Sequence, residues 1–455
     1  MTRTFASRAR IVVAVALLSS VIGARAPRSR FADLTYSDTR LKNGLRVIIA
    51  EDHNAPVFSI AISYNVGSRD ERRGRTGFAH LFEHMMFKGS ENVGPGEHFT
   101  LVFNNGGNMN GTTNKDRTLY YETLPTNQVD LGLYLEADRM RSLAITKDNL
   151  DNQRNAVQEE RRIGVDNAPY GRTFEAIDSL AYTSFAYSHS VIGSMADLSA
   201  ASVEDVQSFF KTYYAPNNAV LAIVGDVNTA DVLARVKKNF ESISAQTPPP
   251  AVEMAEPQPA GEKRIQLDDA LARAVRLDIS YVVPPSSSAD DAALSVLATV
   301  LSSGRSSRLY EQVVRQQQLA TNINAGKGES RGPGLFQLSI TVAPGKQAAD
   351  AEKAAMDEIE KVKSTPPADW EMDKARTNAQ RGVVASQESS LSRAILLSQY
   401  ALFYDDPGRI NTRVTRIKAV TAADVQRVAQ QYLTPQNRSV IQTNPKAAAA
   451  SRGGL

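Results

Sequence analysis

Cysteine is absent from this 455-residue chain, tryptophan occurs once, and there are only five histidines: His53, His80, His84, His98 and His189. Without thiols there is no disulfide framework, no thiolate zinc site and no cysteine nucleophile, so a bound metal would have to be held by His, Asp or Glu. Beyond residue 23 no apolar run approaches the length of a bilayer span. Nothing resembles a glycine-rich phosphate loop or a cofactor fingerprint. What is present is 42% hydrophobic and 22% charged residues, the balance of a soluble globular protein long enough for two to four domains.

Residues 1–26 are expected to be an export signal leading to the periplasm. Arg3, Arg8 and Arg10 precede the apolar run 11–23, and Ala24-Arg25-Ala26 has the small-x-small spacing of a cleavage site. The alternative is an uncleaved N-terminal membrane anchor; no membrane span is expected after the signal is removed. Removal takes four arginines and no acid, turning the formal charge of +3 into about −1. A nucleic-acid binder would need a basic face on the mature chain, which this balance does not supply, so no nucleic-acid partner is expected.

The densest chemistry is His80-Leu81-Phe82-Glu83-His84. On a helix, positions i, i+3 and i+4 share a face, so both imidazoles and the carboxylate between them point the same way. Two imidazoles one turn apart can hold zinc, and a non-ligand Glu beside them can act as general base, in the inverse of the His-Glu-x-x-His order. The competing reading is a polar interruption of a core helix.

Along the chain, Leu45–Ile49 and Val57–Val66 read as strands, and the motif helix is expected to end near Lys88-Gly89. Residues 93–111 read as a Gly/Asn-rich loop leading into a strand over Thr112–Leu124. Helices are expected over Asn127–Ser142, Lys147–Arg162 and Ser202–Tyr214, the last capped by Ser202, before a strand at Ala219–Val224. Residues 244–263 hold five prolines and read as a linker between two halves. Across it, Asp205-Val206-Gln207, Tyr213, Pro216 and Asn218 recur at the same spacings as Asp424-Val425-Gln426, Tyr432, Pro435 and Asn437, and Ser63-Tyr64 recurs as Ser280-Tyr281. This points to an internal duplication. No histidine follows His189, so the second half, including its apolar helix Ala292–Leu301, cannot repeat the motif.

Two histidines leave a catalytic zinc site one protein ligand short. Spacing alone cannot choose among the acids; Glu159 and Glu160 lie on adjacent faces of one predicted helix, so one of them points inward and the other pairs in solvent with a neighbouring arginine. The motif segment Gly77–Gly89, the run Gly106-Gly107-Asn108-Met109-Asn110-Gly111-Thr112-Thr113, the stretch Asn152–Arg162, Val191-Ile192-Gly193-Ser194 and Pro216-Asn217-Asn218 together resemble the insulinase (pitrilysin) family of zinc peptidases. The likeness is greatest to bacterial members that resemble the β subunit of the mitochondrial processing peptidase, and it covers nearly the whole mature chain.

That resemblance implies an α+β fold of two homologous domains, each a mixed sheet with helices. A zinc-binding peptidase domain would span 33–243, the linker 244–263 and a metal-free copy 264–445, followed by a disordered tail at 446–455. It implies one zinc on His80, His84 and Glu160, with Glu83 as general base and Gln153 in a supporting position where many members carry Glu. Asn110, Gly111, Thr112 and Thr113 would belong to an edge strand to which a peptide or unfolded polypeptide adds. The family also uses an Arg/Tyr pair from a metal-free half; here Arg315 is present but Thr321 stands where Tyr would be expected. The expectation is therefore a zinc endopeptidase chain paired with a homologous subunit lacking the zinc site, with a homodimer as alternative for the assembly and a non-catalytic assembly subunit as alternative for the function.

Overall fold

The computed structural model describes residues 33–446. The expected signal, and all of the expected tail but Lys446, lie outside them. The first half builds a six-stranded sheet from β1 (Ser37–Arg40), β2 (Arg46–Glu51), β3 (Val57–Tyr64), β4 (Asn108–Thr113), β5 (Thr118–Pro125) and β6 (Ala219–Gly225), in the order β1-β2-β6-β3-β5-β4. The second builds a five-stranded sheet from β7 (Lys263–Asp269), β8 (Arg276–Val283), β9 (Ala320–Lys327), β10 (Gly334–Val342) and β11 (Arg438–Pro445), in the order β7-β11-β8-β10-β9. Both are mixed: β2 runs parallel to β6 and β7 parallel to β11, while the other pairs are antiparallel.

The duplication holds at the level of register. Tyr64 pairs with Ala219 and Tyr281 with Arg438, each the residue after the Pro-x-Asn turn. In one copy the Asn218 amide donates to the carbonyls of Tyr213 (2.8 Å) and Asn65 (3.3 Å); in the other Asn437 donates to those of Tyr432 and Val282, both at 2.8 Å. The preceding helices, Val203–Tyr213 and Ala422–Tyr432, start with matching capping boxes, Ser202/Asp205 and Thr421/Asp424.

Alternation along β3 explains how the halves join. Phe58, Ile60, Ile62 and Tyr64 enter the first core, while Ser59, Ala61 and Ser63 face the other way, as a period of two dictates. These small residues let a helix of the second half, Ser390–Tyr404, lie on the sheet, with Ser59 meeting Ser390 and Ser63 meeting Ser398 at 2.9 Å each. Reciprocally, the helix Gly171–Ala181 covers the second sheet, against β8 and β11, where Thr173 bonds Thr443. The proline-rich linker carries neither helix nor strand over 244–262 and is tied down: Glu256 accepts the amides of Thr183 and Ser184, and Val252 and Met254 pack beside Tyr187.

Two expectations need correction. Residues 93–111 are not one loop but hold a helix, Glu97–Asn104, and most of β4. Thr112–Leu124 is not one strand but a β4–β5 hairpin turning at Asn114–Arg117, where the Asn114 carboxamide accepts the amides of Asp116 and Arg117. Glycine and asparagine depress strand propensity, yet an edge strand against a helix tolerates them because one face needs room.

Candidate active site

The motif forms α1 (Phe78–Met85). Gly77 opens it at φ 86°, and a Cβ there would lie 2.6 Å from the Ile192 carbonyl, so only glycine fits. Its first amides are capped from outside the helix: buried Glu71 accepts from Gly77 (2.9 Å) and Ala79 (2.8 Å), and His189 sits 3.0 Å from the same carboxylate. Burial lifts the Glu71 carboxyl above its ordinary range against these partners; burial pushes His189 the other way, but its bond to Glu71 holds it above normal. An anionic Glu71 at this helix start also complements the helix dipole.

Leu81, Phe82 and Met85 bury the opposite face of α1, Phe82 against Phe209, Phe210 and Tyr214. This leaves His80, Glu83 and His84 facing two neighbours: a helix (Lys147–Arg161) that packs on α1, and β4. With α2 (Glu97–Asn104) and α3 (Val129–Arg141) intervening in the chain, that helix is α4. Glu160 on α4 lies 3.7 Å from His80 Nε2 and 3.4 Å from His84 Nε2. Glu159, one residue away, points out and pairs with Arg162 at 2.9 Å, the division expected of adjacent helix faces. Arg161 forks onto Glu175 and reaches the Gly193 carbonyl at 2.8 Å. Burial and the neighbouring His84 depress His80 to about 4 despite Glu160, so it stays neutral, as a metal ligand must.

Three donors around zinc at about 2.0–2.1 Å in tetrahedral geometry would sit roughly 3.3 Å apart, close to the spacing seen. The His-His-Glu set is also a catalytic zinc donor set, leaving a fourth position open. The residues therefore fit the metal.

Glu83 is not part of that triad. Its Oε2 accepts the Thr113 hydroxyl at 2.6 Å, and its Oε1 lies beside Gly111, where a Cβ would approach Glu83 Cγ to 3.0 Å. Burial raises its pKa above the ordinary carboxylate value, opposed by the Thr113 bond. Asn108, Asn110 and Thr112 point outward from β4, which has β5 on one side and, among the described residues, no strand on the other. Gln153 is buried on the same face of α4 as Glu160, but its hydrogen bond goes to Asn152 (2.5 Å), and none joins it to His80 or His84. Arg315 and Thr321 are not brought to the site: Arg315 is exposed and paired with Glu311, and Thr321 bonds the Thr341 carbonyl.

A second group has metal-like spacing: His98, Glu122 and Glu136, all buried. Its chemistry differs because Arg139, also buried, grips both oxygens of Glu136. A guanidinium in that position repels a further cation, so this is an internal charge network. Burial lifts Glu122 to about 7 and depresses His98 to about 3; the two side chains lie 3.4 Å apart. Sequence reading missed Glu71, Thr113 as a partner of Glu83, and this network; the scarcity of histidine was the available signal, since His98 and His189 each face a buried Glu.

Family models match both halves of the chain. Residues 46–194 match the family model described as insulinase (peptidase family M16), and 200–379 match the peptidase M16 inactive domain. The chain belongs to the insulinase family of peptidases. It is 29% identical to the zinc protease PqqE of Helicobacter pylori over 90% of this chain and 93% of that one. It is 22% identical to the mitochondrial-processing peptidase subunit beta of Blastocladiella emersonii, over 90% and 88% of the two chains. A crystal structure of a Helicobacter pylori protease superposes with a TM-score of 0.86 at 29% identity, covering 90% of this chain and all of that one.

Proposed function

We propose that this chain is a zinc-dependent endopeptidase that hydrolyses peptides or unfolded polypeptides. The observation that carries this reading is that Glu83, with one carboxylate oxygen uncommitted, stands beside the His80–His84–Glu160 triad at an unpaired sheet edge. His80, His84 and Glu160 would hold one zinc ion. Bound there, the metal supplies a Lewis acid that activates water and polarises a peptide carbonyl.

The chain's own residues do the rest. The Thr113 hydroxyl fixes Glu83 Oε2, leaving Oε1 to take the proton from the attacking water and later return it to the leaving amine. Burial raises the Glu83 carboxyl above its ordinary value against the Thr113 bond, the direction that favours taking up a proton. An extended peptide would add to β4 through main-chain hydrogen bonds, which tolerate many sequences, with Asn110 and Thr112 beside its side chains and Gly111 leaving room next to Glu83. Gln153 would support the ligand-bearing face of α4. Because Arg315 and Thr321 stand apart from the triad, a homologous zinc-free subunit would complete the site across an interface, in an exported, periplasmic assembly. No helix among the described residues is long and apolar enough to cross a membrane.

Glu83→Gln tests the reading. It should keep one zinc per chain and lose on the order of 10²–10⁴ in turnover on an unstructured peptide; near-normal turnover would sink the assignment.

A further inference from the structure

The β4–β5 hairpin carries Gly111 and Thr113, and its turn is gripped by the second half. Asp116 at the tip accepts the Arg331 amide at 3.0 Å and also bonds Arg69 (3.0 Å) and the Tyr187 hydroxyl (2.5 Å). Beside it, Arg117 reaches both ways. One arm bonds the Thr112 hydroxyl (3.0 Å) and carbonyl (3.4 Å) in β4. Its Nε donates to Gln399 (3.0 Å) on the second-half helix Ser390–Tyr404. Gln399 in turn donates to Glu329 at 2.6 Å, and the Tyr404 hydroxyl donates to the other Glu329 oxygen at 2.5 Å. Each donor in this chain has an acceptor, so Gln399 has one orientation available.

We infer that Arg117 and Gln399 are positioning residues through which the metal-free half sets the substrate-binding edge beside Glu83. This rests on the peptidase reading above. The physical reason is that an edge strand is restrained on one side only, so its free side moves unless held. Thr112 is held by Arg117, and the next residue, Thr113, holds Glu83. A shift of about 1 Å in such an element is enough to cost on the order of 100-fold in catalysis. Arg117 is half-buried, and its guanidinium is held in place only as far as its partners are, which makes Gln399 the point of control.

Gln399→Leu removes both bonds while keeping volume and helix propensity. The expected result is faster amide exchange at residues 108–113 and about a tenfold fall in kcat/KM on an unstructured peptide, carried by KM, with zinc content and melting temperature unchanged. Exchanging the partners, Gln399→Glu together with Glu329→Gln, rebuilds the donor–acceptor chain and should restore both readouts. Unchanged exchange and unchanged kcat/KM in Gln399→Leu would overturn the inference, as would a loss that the exchanged pair does not rescue. If the zinc-loaded wild type assembled with a homologous zinc-free subunit cuts no peptide while Gln399→Leu still speeds exchange in β4, the peptidase reading fails and the positioning role stands.

Discussion

The two halves share a five-strand order, β2-β6-β3-β5-β4 in one and β7-β11-β8-β10-β9 in the other, and differ in what is set upon it. Matching strand registers makes Ala325 on β9 the counterpart of Gly111, and Ile340 on β10 the counterpart of Glu122. After β3 the chain forms the eight-residue α1 with its His and Glu; after β8 it forms the twelve-residue, apolar helix Asp291–Ser302. On the faces where the halves exchange helices, Ser59, Ala61 and Ser63 in β3 correspond to Arg276, Asp278 and Ser280 in β8. The fold is therefore carried by what the copies share, namely the apolar faces of the central strands and the Asn218 and Asn437 bonds. The proposed chemistry rests on positions where only the first copy departs from an ordinary core: two imidazoles, two carboxylates and one glycine.

Substituting at the paired positions sharpens this contrast. Gly111→Val forces a side chain against Glu83 and should lower kcat/KM by about 100-fold, the size expected of misplaced catalytic groups. Ala325→Val at the matching position should leave cleavage within about twofold. Peptide-cleavage kinetics on both variants decide the matter, and equal losses would break the distinction between a chemical and a structural copy.

The shared feature is tested by Asn218→Ala and Asn437→Ala, each of which strands two carbonyls. Both should lower unfolding free energy by about 1–3 kcal/mol in denaturant melts. A large cost in one half only would mean that the two turns are not equivalent.

The smallest effect separates the halves by pH. Glu122 has a folded pKa of about 7 against 4.5 for an unperturbed glutamate, where the second copy has Ile340. A group raised in this way contributes stability that is fully present below about 4.5 and is lost as pH rises through about 7. Glu122→Gln should therefore gain on the wild type by a few degrees in melting temperature between pH 5 and pH 8, and Ile340→Val should show no such trend. A constant offset between Glu122→Gln and wild type across that range would contradict the buried-acid account.

How much of this was legible in the sequence follows from the range of each interaction. His80, Glu83 and His84 are neighbours on one helix, so spacing alone placed them together. Glu160 is 76 residues away from His84, and helix geometry narrowed it only to a pair of adjacent acids until the family resemblance separated them; α4 turns Glu160, half-exposed, towards the two histidines and Glu159 towards Arg162. The repeat was visible because turn chemistry leaves fixed residues such as Pro216 and Asn218. Strand β4 was misread because Asn and Gly suit loops, and the reason they suit this strand, room for Glu83, is a tertiary one. The exchange of helices between sheets was invisible for a similar reason. Ser59 and Ser63 read as an ordinary polar alternation, and nothing local says that a helix over three hundred residues later will bury them. Glu71 and His189 likewise meet only in space.

The central claim is that this chain has one metal centre, built from the first half alone. Equilibrium dialysis against zinc tests it most directly, comparing wild type with His84→Ala. The account predicts one tightly bound zinc per wild-type chain and none in the variant, with the fold retained. Undiminished zinc in His84→Ala, or a second equally tight zinc in the wild type, would contradict it.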